Sequence, residues 1–184
     1  MNPLFSIVIP CKNESQDIAE TLESCLGLTY FPKEIIVVDD STDNTPDIVA
    51  QYAHRGVRLI HREQNRNGCC GARNLGMQSA RGEYIILMNA DDRPEPDFIQ
   101  KIYAHYQAGA DLVVVQSLVK NRDNIWSQLI HADAQARKVS DPHWSEGFSC
   151  RRIASEKSGY IPGDFPVPFC RDNTLSQAMV RNGF

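Results

Sequence analysis

No run in the 184-residue chain approaches the roughly 20 consecutive apolar residues needed to cross a bilayer, so no membrane span is expected within it. The first residues, Met1 to Phe5, lack the basic start and long apolar core of a secretory leader. Excess positive charge is missing as well. Nineteen Lys and Arg stand against 23 Asp and Glu, a net charge of −4 that argues against broad attraction to nucleic acid or anionic lipid. The six cysteines (Cys11, Cys25, Cys69, Cys70, Cys150 and Cys170) have neither the density of a small disulfide scaffold nor the CxxC spacing of a zinc site. Reduced thiols and a cytoplasmic setting follow as expectations. There is no internal repeat and no low-complexity tract, and the length suits one domain with a substantial core.

What the chain does have is alternation of short apolar runs with helical patterns. Leu4 to Ile9, ended by Pro10, reads as a first buried strand, followed by polar Lys12, Asn13 and Glu14 and then a helix behind Ser15 as its N-cap. Glu34 to Val38 is rich in β-branched residues and stops at Asp39-Asp40-Ser41, before a helix from about Thr45 to Ala53. Val57 to Ile60 supplies a third strand, and a helix over about Gly71 to Ala80 precedes a fourth, Glu83 to Met88. A helix from about Pro96 to Tyr106 and a fifth strand at Asp111 to Val115 complete five strands by residue 117. Such spacing predicts an α/β domain with a mostly parallel, doubly wound sheet and right-handed crossovers. Residues 124–138 read as helical. The proline-rich stretch 140–169, with Pro162, Pro166 and Pro168, reads as an irregular segment over the site. A last helix spans Asn173 to Arg181, and because its pattern runs so near the final residue we expect a C-terminal truncation.

The fourth run stops abruptly at Asn89-Ala90-Asp91-Asp92. Polar groups just past a parallel strand emerge at the carboxyl edge of the sheet, where open α/β sheets bind ligands. Neighbouring carboxylates repel, so a divalent cation held against the phosphates of a nucleotide explains this cluster. Capping of a helix beginning near Pro94 explains it equally well. Asp39 and Asp40 reach the same edge. Arg73 stands near the start of the third helix, placed for a phosphate or for an ion pair with Asp39 or Asp40. Cys69-Cys70, His131 and His143 read as packing or surface residues. Arg151, Arg152 and Lys157 read as a basic patch within the 140–169 segment, either solvated or facing an anionic group.

Five segments in order, Ser6-to-Glu14, Ile35-to-Asp43, Gly71-to-Gly76, Ala80-to-Leu87 and Asn89-to-Asp92, resemble the family 2 glycosyltransferases of the GT-A fold over about residues 4–117. The resemblance implies a single GT-A domain over 1–184, with a nucleotide-sugar-binding half at 1–117 and an acceptor-side half at 118–184. It implies that Pro10, Asn13 and Glu14 contact base and ribose, that Asp40 receives the base, and that Arg73 lies near ribose and diphosphate. The family's metal-binding Asp-x-Asp falls on Asn89, Ala90 and Asp91, leaving Asp91 to bind Mn²⁺ or Mg²⁺ because an amide replaces the first acid. The family's catalytic base falls on Asp172, beside Arg171 where an acid is usual, with Asp164 in reserve. The implied reaction is inverting transfer from a nucleoside-diphosphate sugar, of the UDP type, to a saccharide or lipid-linked acceptor in polysaccharide or glycoconjugate biosynthesis. Peripheral contact at the inner face of the membrane is compatible with it. Two alternatives remain open at this point: a nucleotide-sugar-binding module whose catalysis has lapsed, and a phosphoacceptor signalling domain built around Asp39-Asp40.

Overall fold

The computed structural model describes residues 1–63, 67–115, 147–162 and 172–184. The first apolar run forms β1 (Phe5–Cys11), buried at every position but Pro10. It lies between β2 (Lys33–Asp39) and β4 (Tyr84–Leu87), parallel to both, with Ile7 opposite Ile35 on one side and Ile86 on the other. β3 (Val57–His61) pairs in parallel with the outer side of β2. Runs that are apolar without alternation suit such strands, because both faces meet a helix layer rather than water.

Successive side chains point to opposite faces. Phe5, Ile7, Ile9 and Val37 pack against α1 (Ile18–Leu26), α2 (Thr45–Ala50) and α4 (Phe98–Gln107) through Ile18, Leu22, Val49 and Ile99. Val8, Ile36 and Val38 face α3 (Gly68–Ser79) through Ala72 and Met77. Each such aliphatic side chain contributes about 1.5–3 kcal/mol on burial. α3 lies so close to the sheet that a Cβ at Gly76 would stand 2.2 Å from Val8 Cγ1. Only a residue without a side chain allows that approach, which seats Arg73, one turn earlier, near the carboxyl edge.

The irregular stretch expected at 140–169 is corrected in part. It contains β6 (Gly147–Arg151) and α5 (Arg152–Lys157). β6 runs antiparallel between β4 and β5 (Leu112–Val115), giving the order β3-β2-β1-β4-β6-β5. The sheet is therefore mostly parallel, as expected, but its fifth strand does not adjoin its fourth. Phe148 and Cys150 join the α3 layer, while Ser149 accepts a hydrogen bond from Tyr106 on the other face at 2.8 Å. A final helix, α6 (Asp172–Arg181), buries Leu175 and Met179 in the α3 layer.

Two helix starts are also corrected. α1 begins at Ile18, after a turn in which the Glu14 carbonyl accepts from the Asp17 and Ile18 N–H groups, so Ser15 is not its N-cap. α4 begins at Phe98 with Asp97 in the N-cap position. Asp91 and Asp92 therefore do not cap it. The expected helix at 124–138, together with His131, His143, Asp164, Pro166, Pro168, Cys170 and Arg171, lies outside the described residues.

The basic patch is corrected in place. Arg151 pairs with Asp111 at 2.9 Å and lies over the rings of Tyr84 and Tyr106, while Arg152 donates to the Gly82 carbonyl at 3.0 Å. Both arginines serve the edge where β4 begins, opposite Asn89–Asp92. Among the described residues no helix is long and apolar enough to cross a membrane, and Cys11, Cys25, Cys69, Cys70 and Cys150 form no disulfide with one another.

Candidate functional site

Parallel strands deliver the ends of β1, β2, β3 and β4 to one edge, and the polar loops that follow them are fastened to each other. Asn13 takes a left-handed conformation (φ 58°), which an Asn tolerates better than most side chains. There its N–H donates to Ser41 Oγ at 2.7 Å, and its Oδ1 accepts from the Thr42 N–H at 2.9 Å. The Glu14 N–H donates to Thr45 Oγ1 at 3.0 Å. The loop after β1 is thus tied to the loop after β2, with half-buried Pro10 just before it.

The two acids closing β2 point to opposite faces. Asp39 is fully buried, with its Oδ2 2.8 Å from His61 Nδ1 and its Oδ1 lacking a hydrogen-bond partner among the described residues. Asp39 lies beside Cys11, whose thiol is pushed up to about 12 by burial and then by the Asp39 charge. Asp40, 9% exposed, turns to the α3 side. Arg62 grips it with a two-pronged fork: Nε donates to Oδ1 at 2.6 Å and Nη2 donates to Oδ2. Arg62 Nη2 also donates to the Gly68 carbonyl at 2.9 Å, so one guanidinium joins β3, β2 and the start of α3. Sequence reasoning missed Arg62. Its one signal is position, immediately after a strand that runs beside Asp40.

Arg73 is 6% exposed, and its Nη2 donates to Asn89 Oδ1 at 2.9 Å. The amide that replaces an acid at residue 89 thereby orients the cation expected near the diphosphate. The Asn89 N–H donates to Asp92 Oδ2 at 2.8 Å, which bends the chain after β4. Thr21 Oγ1 donates to the carbonyl of buried Ala90, and Arg93 donates to Thr21 Oγ1 at 2.6 Å and to Asp17 Oδ1 at 3.0 Å. These contacts hold residues 89–93 against α1. Thr21 and Arg93 were likewise not singled out from the sequence.

Asp91 is left exposed at the tip, and among the described residues it has no ion-pair partner. The half-buried Glu14 carboxyl is raised above its usual range, first by burial and next by the Asp91 charge, with Asp17 and Asp43 adding to it. Among the described residues no three His, Cys, Asp or Glu side chains form a metal-holding cluster. One or two hard carboxylate donors nonetheless fit a Mg²⁺ or Mn²⁺ ion whose remaining ligands are phosphate oxygens and water. The residues present suit a cation that arrives with a phosphate-bearing ligand.

The structure brings Pro10, Asn13, Glu14, Asp40, Arg73, Asn89, Ala90 and Asp91 to the one edge. Asp172 stands at the first position of α6, and its side chain lies outside the described residues.

The glycosyl transferase family 2 model matches residues 6–164. Over 118 residues the chain is 37% identical to glycosyltransferase GlyG of Streptococcus pneumoniae, covering 62% of this chain and 39% of GlyG. It therefore spans well under half the length of that relative. TarS of S. aureus, residues 1–349, superposes with a TM-score of 0.76 at 22% identity, over 95% of this chain and 54% of that one. TarS has also been solved with UDP and with UDP-GlcNAc. The mannosyltransferase PcManGT of Pyrobaculum calidifontis, in complex with GDP-Man and Mn²⁺, superposes with a TM-score of 0.75 at 23% identity, over 100% of this chain and 54% of that one. These likenesses establish the GT-A type of α/β fold and set the phosphoacceptor alternative aside. With its motifs on the carboxyl edge and more than half its length matched by the family model, the chain belongs to glycosyl transferase family 2.

Proposed function

We propose that this chain carries the donor site of an inverting glycosyltransferase, which moves a sugar from a UDP-type nucleoside-diphosphate sugar to a hydroxyl of a saccharide or lipid-linked acceptor. One observation carries the reading: an acid for the base (Asp40), a cation for the diphosphate (Arg73) and two hard oxygen donors (Glu14 and Asp91) converge on one sheet edge. The UDP, UDP-GlcNAc and GDP-Man–Mn²⁺ complexes of the structural neighbours support the donor class and the use of a metal. Residues 1–117 form the donor side and 118–184 the acceptor side, in a cytoplasmic protein working at the inner face of the membrane.

In this reading Pro10 and Asn13 border the base and ribose, Asp40 accepts a hydrogen bond from the base, and Asn89 and the Ala90 backbone lie beside the ribose. The acceptor hydroxyl attacks the anomeric carbon from the face opposite the diphosphate. Asp172 takes the hydroxyl proton as the new glycosidic bond forms, and the bond to the diphosphate breaks with inversion. Arg73, already aimed by Asn89, stabilises the charge that grows on the leaving diphosphate, and it does so more in the transition state than in the ground state. A hard divalent cation held by Asp91, with Glu14 close by, would supply further neutralisation of that leaving group.

Titration calorimetry with nucleoside diphosphates, with and without Mn²⁺, tests the donor site. Mn²⁺-dependent binding of UDP is expected, and absence of binding to every nucleotide in both conditions would remove the reading. Loss of turnover in Asp172→Asn with donor binding intact marks a working transferase. A lapsed module would bind donor and show no turnover in either form.

A further inference from the structure

With no ion-pair partner among the described residues, exposed Asp91 depends on the backbone around it for its place. That backbone is pinned before and after it. Before it, the carbonyl of buried Ala90 accepts from Thr21 Oγ1, which lies nearer to it than to the alternative acceptor, the Asp17 carbonyl at 3.3 Å. After it, the Asp92 N–H donates to the Asn89 carbonyl at 3.3 Å, and Arg93 Nη1 reaches the Asp92 carbonyl at 3.4 Å. Arg93 then spreads over one face of α1: Nη1 donates to Thr21 Oγ1 at 2.6 Å, Nη2 to Asp17 Oδ1 at 3.0 Å and Nε to Glu20 Oε2 at 3.2 Å. Residues 17, 20 and 21 share that face because they stand three and four positions apart.

We infer that Thr21 and Arg93 are positioning residues, which clamp the turn of residues 90–93 to α1 and so hold Asp91 ready for the cation that accompanies the diphosphate. This rests on the donor-site reading above. A hydroxyl accepts and donates at once, so the fully buried Thr21 passes the hold of Arg93 on to the Ala90 carbonyl. The planar guanidinium, with its several donors in fixed geometry, ties the far side of the turn to the same helix. Neither side chain needs to touch nucleotide or cation. A carboxylate fixed beforehand binds a cation more tightly than one that must be ordered on binding, and groups that orient a metal ligand shape the affinity in this way.

The test is the gain in UDP affinity conferred by Mn²⁺, measured by calorimetry with and without the metal on the 184-residue chain, Thr21→Val, Thr21→Ser and Arg93→Met. Wild type is expected to gain about tenfold or more. Thr21→Val keeps shape and charge but removes the hydroxyl, so the gain should fall to about threefold or less while metal-free UDP affinity stays within about twofold. Thr21→Ser restores the hydroxyl and should restore the gain. Arg93→Met keeps the stem and loses the fork, and it also leaves Asp17 and Glu20 without their cation. A purely electrostatic role for Arg93 would therefore raise the gain on substitution, whereas positioning lowers it. Because the Arg93 side chain is 22% exposed, this variant carries the test if Thr21→Val does not fold. A merely structural pair would lower the melting temperature and leave the gain unmoved. A gain at the wild-type value in folded Thr21→Val or Arg93→Met, or a larger one in Arg93→Met, would overturn the inference. A wild-type chain that binds no nucleoside diphosphate, or binds UDP with no gain from Mn²⁺, would instead overturn the donor-site reading on which it stands.

Discussion

The two edges of the sheet are both lined with charge, but they are satisfied differently. At the amino edge, Ser6 Oγ donates to Glu34 Oε1 at 2.6 Å and accepts from the Gly82 N–H at 2.8 Å, and the Arg81 N–H donates to Glu34 at 2.7 Å. Arg151 is shared there between Asp111 and two tyrosine rings. Glu34 and Arg151 thus each meet an opposite charge or a donor from the chain itself. At the carboxyl edge Asp40 is held by Arg62 and Asn89 by Arg73, yet the Glu14 carboxyl is raised by burial and by the Asp91 charge. The amino edge is joined within the chain, whereas the carboxyl edge gathers acids whose mutual repulsion a cation would offset. This asymmetry is the physical content of the donor-site assignment.

The comparison breaks most sharply at the proposed base. Asp172→Asn should lower turnover by about 10²–10⁴-fold while leaving the UDP dissociation constant unchanged, as checked by steady-state kinetics beside calorimetry. Unchanged turnover would move the base elsewhere. Arg73→Lys keeps the charge but loses the planar fork that reaches Asn89. It should lower turnover by about 10²-fold, with a smaller loss of donor affinity.

A substitution at the amino edge should do the reverse. A Cβ on Gly82 would lie 2.6 Å from Ser6 Oγ, 2.7 Å from the Leu4 carbonyl and 2.8 Å from the Ser6 nitrogen, so backbone atoms must shift. Gly82→Ala should destabilise by about 1–3 kcal/mol in urea unfolding and leave UDP affinity in the folded fraction as it was. Altered affinity with unaltered stability would mean that the two edges are not independent.

The smallest expected effect sharpens the electrostatic half of the comparison. The Glu14 carboxyl is raised in the folded state by burial and by Asp91, so the folded protein holds that proton more tightly than the unfolded chain does. Its contribution to stability is then greatest below the ordinary glutamate range, and it falls as pH rises through the elevated folded value. Urea melts taken between roughly pH 4 and 7 should show this decline in wild type and a shallower one in Glu14→Gln. Equal slopes would remove Glu14 from the account.

Much of this architecture was legible in the sequence because it depends on local pattern. β1, β2 and β4 are continuous apolar runs ending in polar residues, and a parallel sheet sends all such ends the same way, so Asp40 and Asp91 could be placed on one edge. What escaped depends on partners distant in the chain. β6 is a five-residue strand of mixed composition, and it forms by pairing with β4 and β5, which begin 63 and 35 residues earlier, and by burying Phe148 and Cys150 in the α3 layer. Arg62 meets Asp40 across 22 residues through the register of β2 and β3, which no motif spells out. Arg151 and Arg152 looked like a surface patch until the antiparallel direction of β6 carried them to the far edge.

The central claim is that exposed Asp91, whose charge raises the Glu14 carboxyl, completes its site with a cation brought by a diphosphate. The most direct measurement is UDP binding to wild type and to Asp91→Asn, each with and without Mn²⁺, by calorimetry. The account predicts that Mn²⁺ tightens UDP binding to wild type by about tenfold or more and does nothing for Asp91→Asn, whose melting temperature stays at the wild-type value. Equal enhancement by Mn²⁺ in both proteins would contradict it.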